Sequence, residues 1–289
     1  MKKKHLLSKA GQTSLLPQYI SSNHIYEKFS DATLEGLDEI RFAENITGEI
    51  KLIDQEESYD DRFVFFEKNK AQMEDEFFKQ TSLRIGKDKT EEFCTLISDL
   101  WYDGKLKRTK GPMENLFASV KNYLLESRKA TNASRIKVHN DVINIAPSFT
   151  HDEIQDILQV NREMMYNYIN EWISSHPEGS SFGTDDVYCR RGLLVTNDFE
   201  NDDYKEWNYI NSYSMAVTVP EKFAQISKGL TPAIVHTKIG NLDGRILFFS
   251  PFIKGMPAGQ LELGVIPHCW QMELISDGIH RGFHEYRLE

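Results

Sequence analysis

The sequence predicts an α+β fold, with helices collected in the first half and strands in the second. Apolar residues recur at helical spacing as far as Ile173. Beyond His176-Pro177 the period shortens, and short β-rich runs alternate with Asn, Asp, Gly and Pro clusters to the C-terminus. Helices followed by strands, rather than alternating with them, give a segregated architecture. A length of 289 residues suits two domains of moderate size. The division is placed between a mostly helical region, 1–145, and a strand-rich region, 146–289, because Ser127 to Ser134 is polar and helix-poor.

Residues 1–60 are polar and carry no clear period, with acidic residues at Glu56, Glu57, Asp60 and Asp61. From about 62 to 128 the pattern is helical. Phe93, Leu96, Ile97, Leu100 and Trp101 form one apolar stripe, with Thr90 placed to cap it. Asp103-Gly104 interrupts the chain, and Met113, Leu116, Phe117, Val120 and Leu124 form a second stripe, so the simplest arrangement is an αα-hairpin. Thr150 and Glu153 have the spacing of a capping box ahead of Ile154, Ile157, Leu158, Met164, Met165, Tyr168, Ile169, Trp172 and Ile173. Strands are expected at 187–195, 209–217, 231–239, 245–250, 260–267 and 282–288, with a helix at 220–228 opened by Pro220 and closed by Gly229.

Charge narrows the function classes. With 34 basic and 44 acidic residues the net charge is −10, which opposes the basic stripe that a nucleic-acid surface requires. No apolar run is long enough to span a bilayer, and Lys2-Lys3-Lys4 is not followed by the apolar core of a signal peptide, so a cytoplasmic protein is expected. Action inside a host cell after injection or non-Sec secretion fits the same features. Cys94, Cys189 and Cys269 are odd in number and far apart, as free thiols in a reducing compartment would be.

The common catalytic signatures are missing: no Gly-x-Gly-x-x-Gly, no phosphate-loop lysine, no Gly-x-Ser-x-Gly. His280 and His284 are four apart, which brings two imidazoles together on a helix, but Ile279 to Leu288 reads as a terminal strand, so no metal is expected. Lys105, Lys107, Arg108 and Lys110 read as a solvated turn.

Three segments of the strand-rich half are informative together. Val187-Tyr188-Cys189-Arg190-Arg191-Gly192-Leu193 is a strand carrying arginine next to glycine. Asn211-Ser212-Tyr213-Ser214 ends another, and Gly259-Gln260-Leu261-Glu262 opens a third after the Gly- and Pro-rich segment 250–259. In this order they resemble the Arg-Ser-Glu class of mono-ADP-ribosyltransferases, bacterial toxins and phage enzymes among them, in its Gln-x-Glu variant. The resemblance covers residues 150–289. Departures are local: Arg190 rather than tyrosine precedes Arg191, Tyr213 replaces the central threonine of Ser-Thr-Ser, and the interval from Glu262 to Pro267 is one residue longer. Arg190 and Arg191 therefore both remain candidates for the NAD contact.

The resemblance implies a mixed α/β, β-sandwich catalytic domain that uses NAD as substrate and transfers ADP-ribose to a protein. Glu262, Gln260 and Ser212 are implied as catalytic. Arg191, Gly192, Ser212, Ser214 and Phe252 are implied as NAD-binding. The chemistry suits these side chains. Breaking the nicotinamide bond develops positive charge on the ribose, which a carboxylate stabilises. A diphosphate suits a forked guanidinium, and a hydroxyl can orient a carboxylate without titrating. Gln260 and Glu262, two apart on a strand, would share one face. Gln-x-Glu implies a non-arginine acceptor, selected by the movable 250–259 loop and by residues 1–145 as a docking region. A catalytically inactive binding module and an NAD glycohydrolase are the competing functions.

Overall fold

A computed structural model describes residues 51–102, 110–127, 145–175, 183–195, 204–207, 210–215, 219–220, 224, 231–266, 268–280 and 283–289. It is an α+β protein with four α-helices and eight strands among those residues. The expected basic turn at 103–109, most of the helix at 220–228 and the segment 128–144 lie outside them. Of that helix one bond is seen, from Ala224 N–H to the Pro220 carbonyl at 3.2 Å, which is the span of one helical turn.

The first helix, α1 (Lys51–Ile85), begins well before the apolar periodicity does. It ends where Gly86 turns to φ +90°, a conformation costly for any residue with a Cβ, and Gly86 then opens α2 (Lys87–Thr95). Thr90 is therefore not the cap expected from sequence. It lies inside α2, and its hydroxyl donates back to the Gly86 carbonyl at 2.9 Å. A π-helical turn, Leu96–Tyr102, continues α2, and α3 (Lys110–Glu126) follows.

The capping box at α4 (His151–Ser174) forms as the sequence predicts. Glu153 N–H donates to Thr150 Oγ1 at 3.3 Å, and Thr150 N–H donates to the Glu153 carboxylate at 2.7 Å. Ile154, Ile157, Met164, Ile169 and Trp172 are buried along one face. Asn161, also buried, donates to the Leu247 carbonyl at 2.6 Å and so ties the helix to the sheet.

The strands are β1 (Tyr188–Val195), β2 (Tyr204–Trp207), β3 (Asn211–Ser214), β4 (Thr231–Lys238), β5 (Ile246–Phe249), β6 (Glu262–Val265), β7 (His268–His280) and β8 (Phe283–Leu288). Their order is β2-β7-β8-β4-β1-β3-β6-β5, with only β4 and β8 paired in parallel. Between β1 and β3 the register consists of a single pair, Arg190 opposite Ser214, so the sheet divides there into five strands and three. Ile279 and His280 do not belong to the terminal strand. They end β7, opposite His284 and Phe283, in a β7–β8 hairpin. No group of three or more His, Cys, Asp or Glu side chains suited to a metal occurs among the described residues.

The three-stranded half and all four helices share one hydrophobic core that runs across position 145. Phe66 of α1 meets Phe249 edge-on at 5.4 Å, and Phe77 stacks on Phe252 at 6.1 Å. A separate small cluster of Val195, Ala233, Val235, Tyr286 and Leu288 lies in the five-stranded half. Among the described residues no helix is long and apolar enough to cross a membrane. Cys94 and Cys189 are free thiols, and burial raises both pKa values, Cys94 to about 12.

Candidate active site

The division of the sheet opens a cleft of about 180 Å³, lined by Arg190, Arg191, Gly192, Ser212, Tyr213, Ser214, Val219, Pro220, Gln260 and Glu262. Six of the seven residues singled out from sequence meet in it. Strand pairing explains the meeting. Glu262 is opposite Ser214 in the β3–β6 ladder, and Ser214 is opposite Arg190 across the junction, so β1, β3 and β6 present three neighbouring positions.

Glu262 is 8% exposed, enough to reach the cleft while most of it is shielded from water. Its carboxylate accepts a 2.5 Å hydrogen bond from Ser212 Oγ. Arg191 Nη1 donates to the Ser212 carbonyl at 2.9 Å, so the guanidinium and the carboxylate are oriented by one serine. Charge-assisted bonds of this length are stronger than neutral ones and fix direction as well as distance.

Arg190 points elsewhere. Its side chain is fully buried and donates from Nη2 to Glu285 at 3.0 Å, also fully buried. His236 is beside them, 3.1 Å from Asp277 through Nε2 and 3.8 Å from Glu285 through Nδ1. Asp277 is there because β7 bulges: Ser276 pairs with Tyr286 and Gly278 with Glu285, leaving Asp277 as the additional residue, while Gly278 takes φ +95°. Burial lowers the His236 pKa below its usual 6.5. Arg190 and Arg287 lower it further, and the opposing pull of Asp277 does not overcome burial.

Gly192 serves the cleft by having no side chain. A Cβ there would be 1.9 Å from the Pro220 carbonyl oxygen. On β6, a Cβ on Gly264 would fall 2.0 Å from the Phe248 ring.

Three expectations from sequence need correction. Gln260 and Glu262 share the cleft, but not as alternate residues of one strand. Gln260 ends a 3-10 turn, Ala258–Gln260, and β6 begins at Glu262. Between them Leu261 takes the left-handed conformation, φ 41° and ψ 45°. Such a conformation costs a non-glycine residue roughly 1–3 kcal/mol and persists only where its surroundings hold it.

Phe252 does not line the cleft. It is 1% exposed and its ring lies among Phe77, Phe249 and Tyr168, because three aromatic neighbours in the core exclude water from it more completely than an open cleft could. The 250–259 segment is also not a free loop. Ser250, Pro251, Phe252, Ile253, Met256 and Ala258 are buried, leaving Lys254 and Gly255 exposed at its tip.

Sequence reasoning missed two contributors. Ser250 Oγ accepts the Glu262 amide proton at 2.8 Å, a role with no sequence signature. The buried set of Glu285, His236 and Asp277 had one faint signal, the Asp-Gly pair at 277–278 that marks a bulge.

No family model and no curated protein matches this chain. Among solved structures, ADP-ribosyltransferase Vis in complex with the M6 inhibitor is similar at 12% identity and a TM-score of 0.37, over 78% of this chain and 82% of that one. Vis with agmatine gives 14% identity and 0.34, over 77% and 84%. The Vis toxin from Vibrio splendidus gives 12% and 0.34, over 77% and 85%. With TM-scores this low, the functional assignment rests on this chain's own residues.

Proposed function

We propose that this chain is an Arg-Ser-Glu ADP-ribosyltransferase of the Gln-x-Glu variant, moving ADP-ribose from NAD to a non-arginine side chain of a protein. The observation that carries this is the bond from Ser212 to the Glu262 carboxylate in a cleft that also holds Arg191 and Gln260. A buried carboxylate oriented by a hydroxyl suits a reaction whose transition state gains positive charge on a sugar ring.

NAD supplies a glycosidic bond with a good leaving group. That bond breaks with both electrons departing on nicotinamide, and an acceptor nucleophile bonds to the ribose carbon and gives up a proton. Glu262 opposes the developing charge, Ser212 fixes the carboxylate, and Gln260 orients the incoming group from its adjoining position. Arg191 fits the diphosphate, because its guanidinium is a permanent forked donor facing the cleft while that of Arg190 is engaged with Glu285. Among the described residues of 250–259, the exposed Lys254-Gly255 tip is the part that can touch an acceptor. The net charge of −10 favours protein over nucleic acid as that acceptor.

Incubation with labelled NAD and a cell lysate tests the proposal, followed by mass spectrometry of the labelled product. Label on a protein side chain other than arginine is the expected result. Label on arginine or on nucleic acid overturns the acceptor assignment. Free ADP-ribose alone identifies a glycohydrolase, and absence of turnover identifies a binding module.

A further inference from the structure

We propose that Ser250 is a positioning residue: by accepting the Glu262 amide proton, its buried hydroxyl holds Leu261 in the left-handed turn that aims Gln260 and Glu262 into one cleft. This rests on the reading of Glu262 as the acting carboxylate. Residues two apart on a strand face the same way without help. Here Gln260 belongs to a 3-10 turn, so the shared direction depends on Leu261, the only non-glycine residue with positive φ among the described residues. A leucine does not adopt that conformation unless it is held.

Four hydrogen bonds hold it. Two are between backbone groups: Leu261 N–H to the Ala258 carbonyl at 2.9 Å, and Met215 N–H to the Leu261 carbonyl at 3.1 Å. Two come from serine hydroxyls, one on each side of Leu261. Ser214 Oγ donates to the Gln260 carbonyl at 2.5 Å, and Ser250 Oγ accepts from Glu262 N–H at 2.8 Å. Together they fix the peptide groups flanking the turn.

Ser250 is the member outside the cleft, and its own seat is buried and hydrogen-bonded. It is fully buried and opens the 3-10 turn Ser250–Phe252, where its carbonyl accepts from Ile253 N–H at 3.2 Å. Two residues on, Phe252 is stacked on Phe77 of α1. The hydroxyl is thus anchored in the aromatic core and reaches the backbone of the carboxylate residue.

The test compares Ser250→Ala with Ser119→Ala. Ser119, in α3, is a buried hydroxyl that likewise accepts a backbone amide proton, from Phe149 N–H at 2.9 Å, and is not among the residues lining the cleft. Both variants lose one buried acceptor and should lower Tm alike. Only Ser250→Ala should lower kcat for NAD cleavage, by about tenfold to a hundredfold, with KM for NAD within about threefold of wild type, as expected when the reacting group is displaced but the binding groups are not. Ser250→Cys, close in volume with a weaker acceptor, should fall between, and it replaces the alanine variant in the comparison if that variant does not fold. Carbon-13 labelling of leucine gives a readout independent of turnover, because the Leu261 Cα and Cβ shifts should leave the left-handed range in Ser250→Ala. Wild-type kcat in Ser250→Ala, an equal kcat loss in Ser119→Ala, or unchanged Leu261 shifts overturns the proposal. Should wild type cleave no NAD, the functional reading fails, and the Leu261 shifts alone decide whether Ser250 holds the turn.

Discussion

The two parts of the sheet are stabilised in different ways. In the five-stranded part the interior between β1, β4, β7 and β8 contains Arg190, His236, Asp277 and Glu285, all buried. In the three-stranded part β3, β5 and β6 lie on an apolar core shared with the helices, and apart from the Asn161 bond to the Leu247 carbonyl the side-chain polar contacts described gather around the cleft, on serine hydroxyls. A buried ion pair permits few alternative alignments, because a slip of one residue would turn Arg190 or Glu285 to the opposite face. Aromatic packing tolerates small shifts, so the three-stranded part needs directional bonds wherever its geometry matters. The cleft lies where the two regimes meet.

Breaking the ion pair tests the first half of that contrast and should give the largest effect on stability. Arg190→Met or Glu285→Leu alone leaves one charge buried without its partner, and urea unfolding should show a loss of about 3–5 kcal/mol. The double variant Arg190→Met with Glu285→Leu should recover most of that loss. If it does not, the pair is doing more than neutralising itself.

Glu262→Gln tests the second half. It keeps the shape of the side chain and removes the charge, so kcat for NAD cleavage should fall by about a hundredfold or more with the urea midpoint unchanged. Retention of more than about a tenth of wild-type turnover would remove Glu262 from the reaction.

Arg191→Ala separates adjacent residues on opposite faces of β1. KM for NAD should rise by about tenfold with little change in Tm, the reverse of the pattern expected for Arg190. A large Tm loss with unaltered KM would mean that the two arginines have exchanged roles.

The smallest effect is a pH dependence. His236 has a folded pKa below 6.5, so the unfolded chain binds the extra proton first as pH falls. Its contribution to stability is intact above pH 6.5 and is lost as pH drops from there toward the folded pKa, by at most about 1.4 kcal/mol per pH unit. The groups setting this balance are Asp277, Glu285, Arg190 and Arg287. Urea titrations of wild type and His236→Gln between pH 7.5 and 5 should converge toward the acid end, and parallel curves would remove His236 as the source.

Local signals were legible in the sequence. Thr150 and Glu153 cap a helix at the expected positions, and the strands at 188–195, 231–238, 246–249 and 283–288 fall within or beside the expected runs. The residues gathered in the cleft were implied by the family resemblance that the short motifs around Arg191, Ser212 and Glu262 carry. Contacts between distant segments were not legible. The first turns of α1 show no periodic apolar stripe, whereas its buried Phe66, Met73 and Phe77, at i, i+7 and i+11, lie in the stretch that reads as helical, and only their partners in the sheet are invisible. β2 and β7 went unseen, since Lys205-Glu206 gives the short β2 no apolar alternation and the bulge at Asp277 breaks that of β7. The left-handed turn at Leu261 is invisible for a related reason. A leucine is a poor indicator of positive φ, and only the surrounding hydroxyls and carbonyls make the conformation tenable.

The close approach at Gly192 has a consequence for the shape of the cleft. With a Cβ position only 1.9 Å from the Pro220 oxygen, the backbone of β1 and the 219–220 wall are separated by little more than a hydrogen atom. The aperture between them is therefore gauged by a side chain that is not there. One methyl group at this point would act as a wedge, prying Val219 and Pro220 away from Arg191 before any reacting group was altered. The width of the mouth and the chemistry inside it are thus separate properties of the chain, the first governed by a glycine and the second by Ser212 and Glu262.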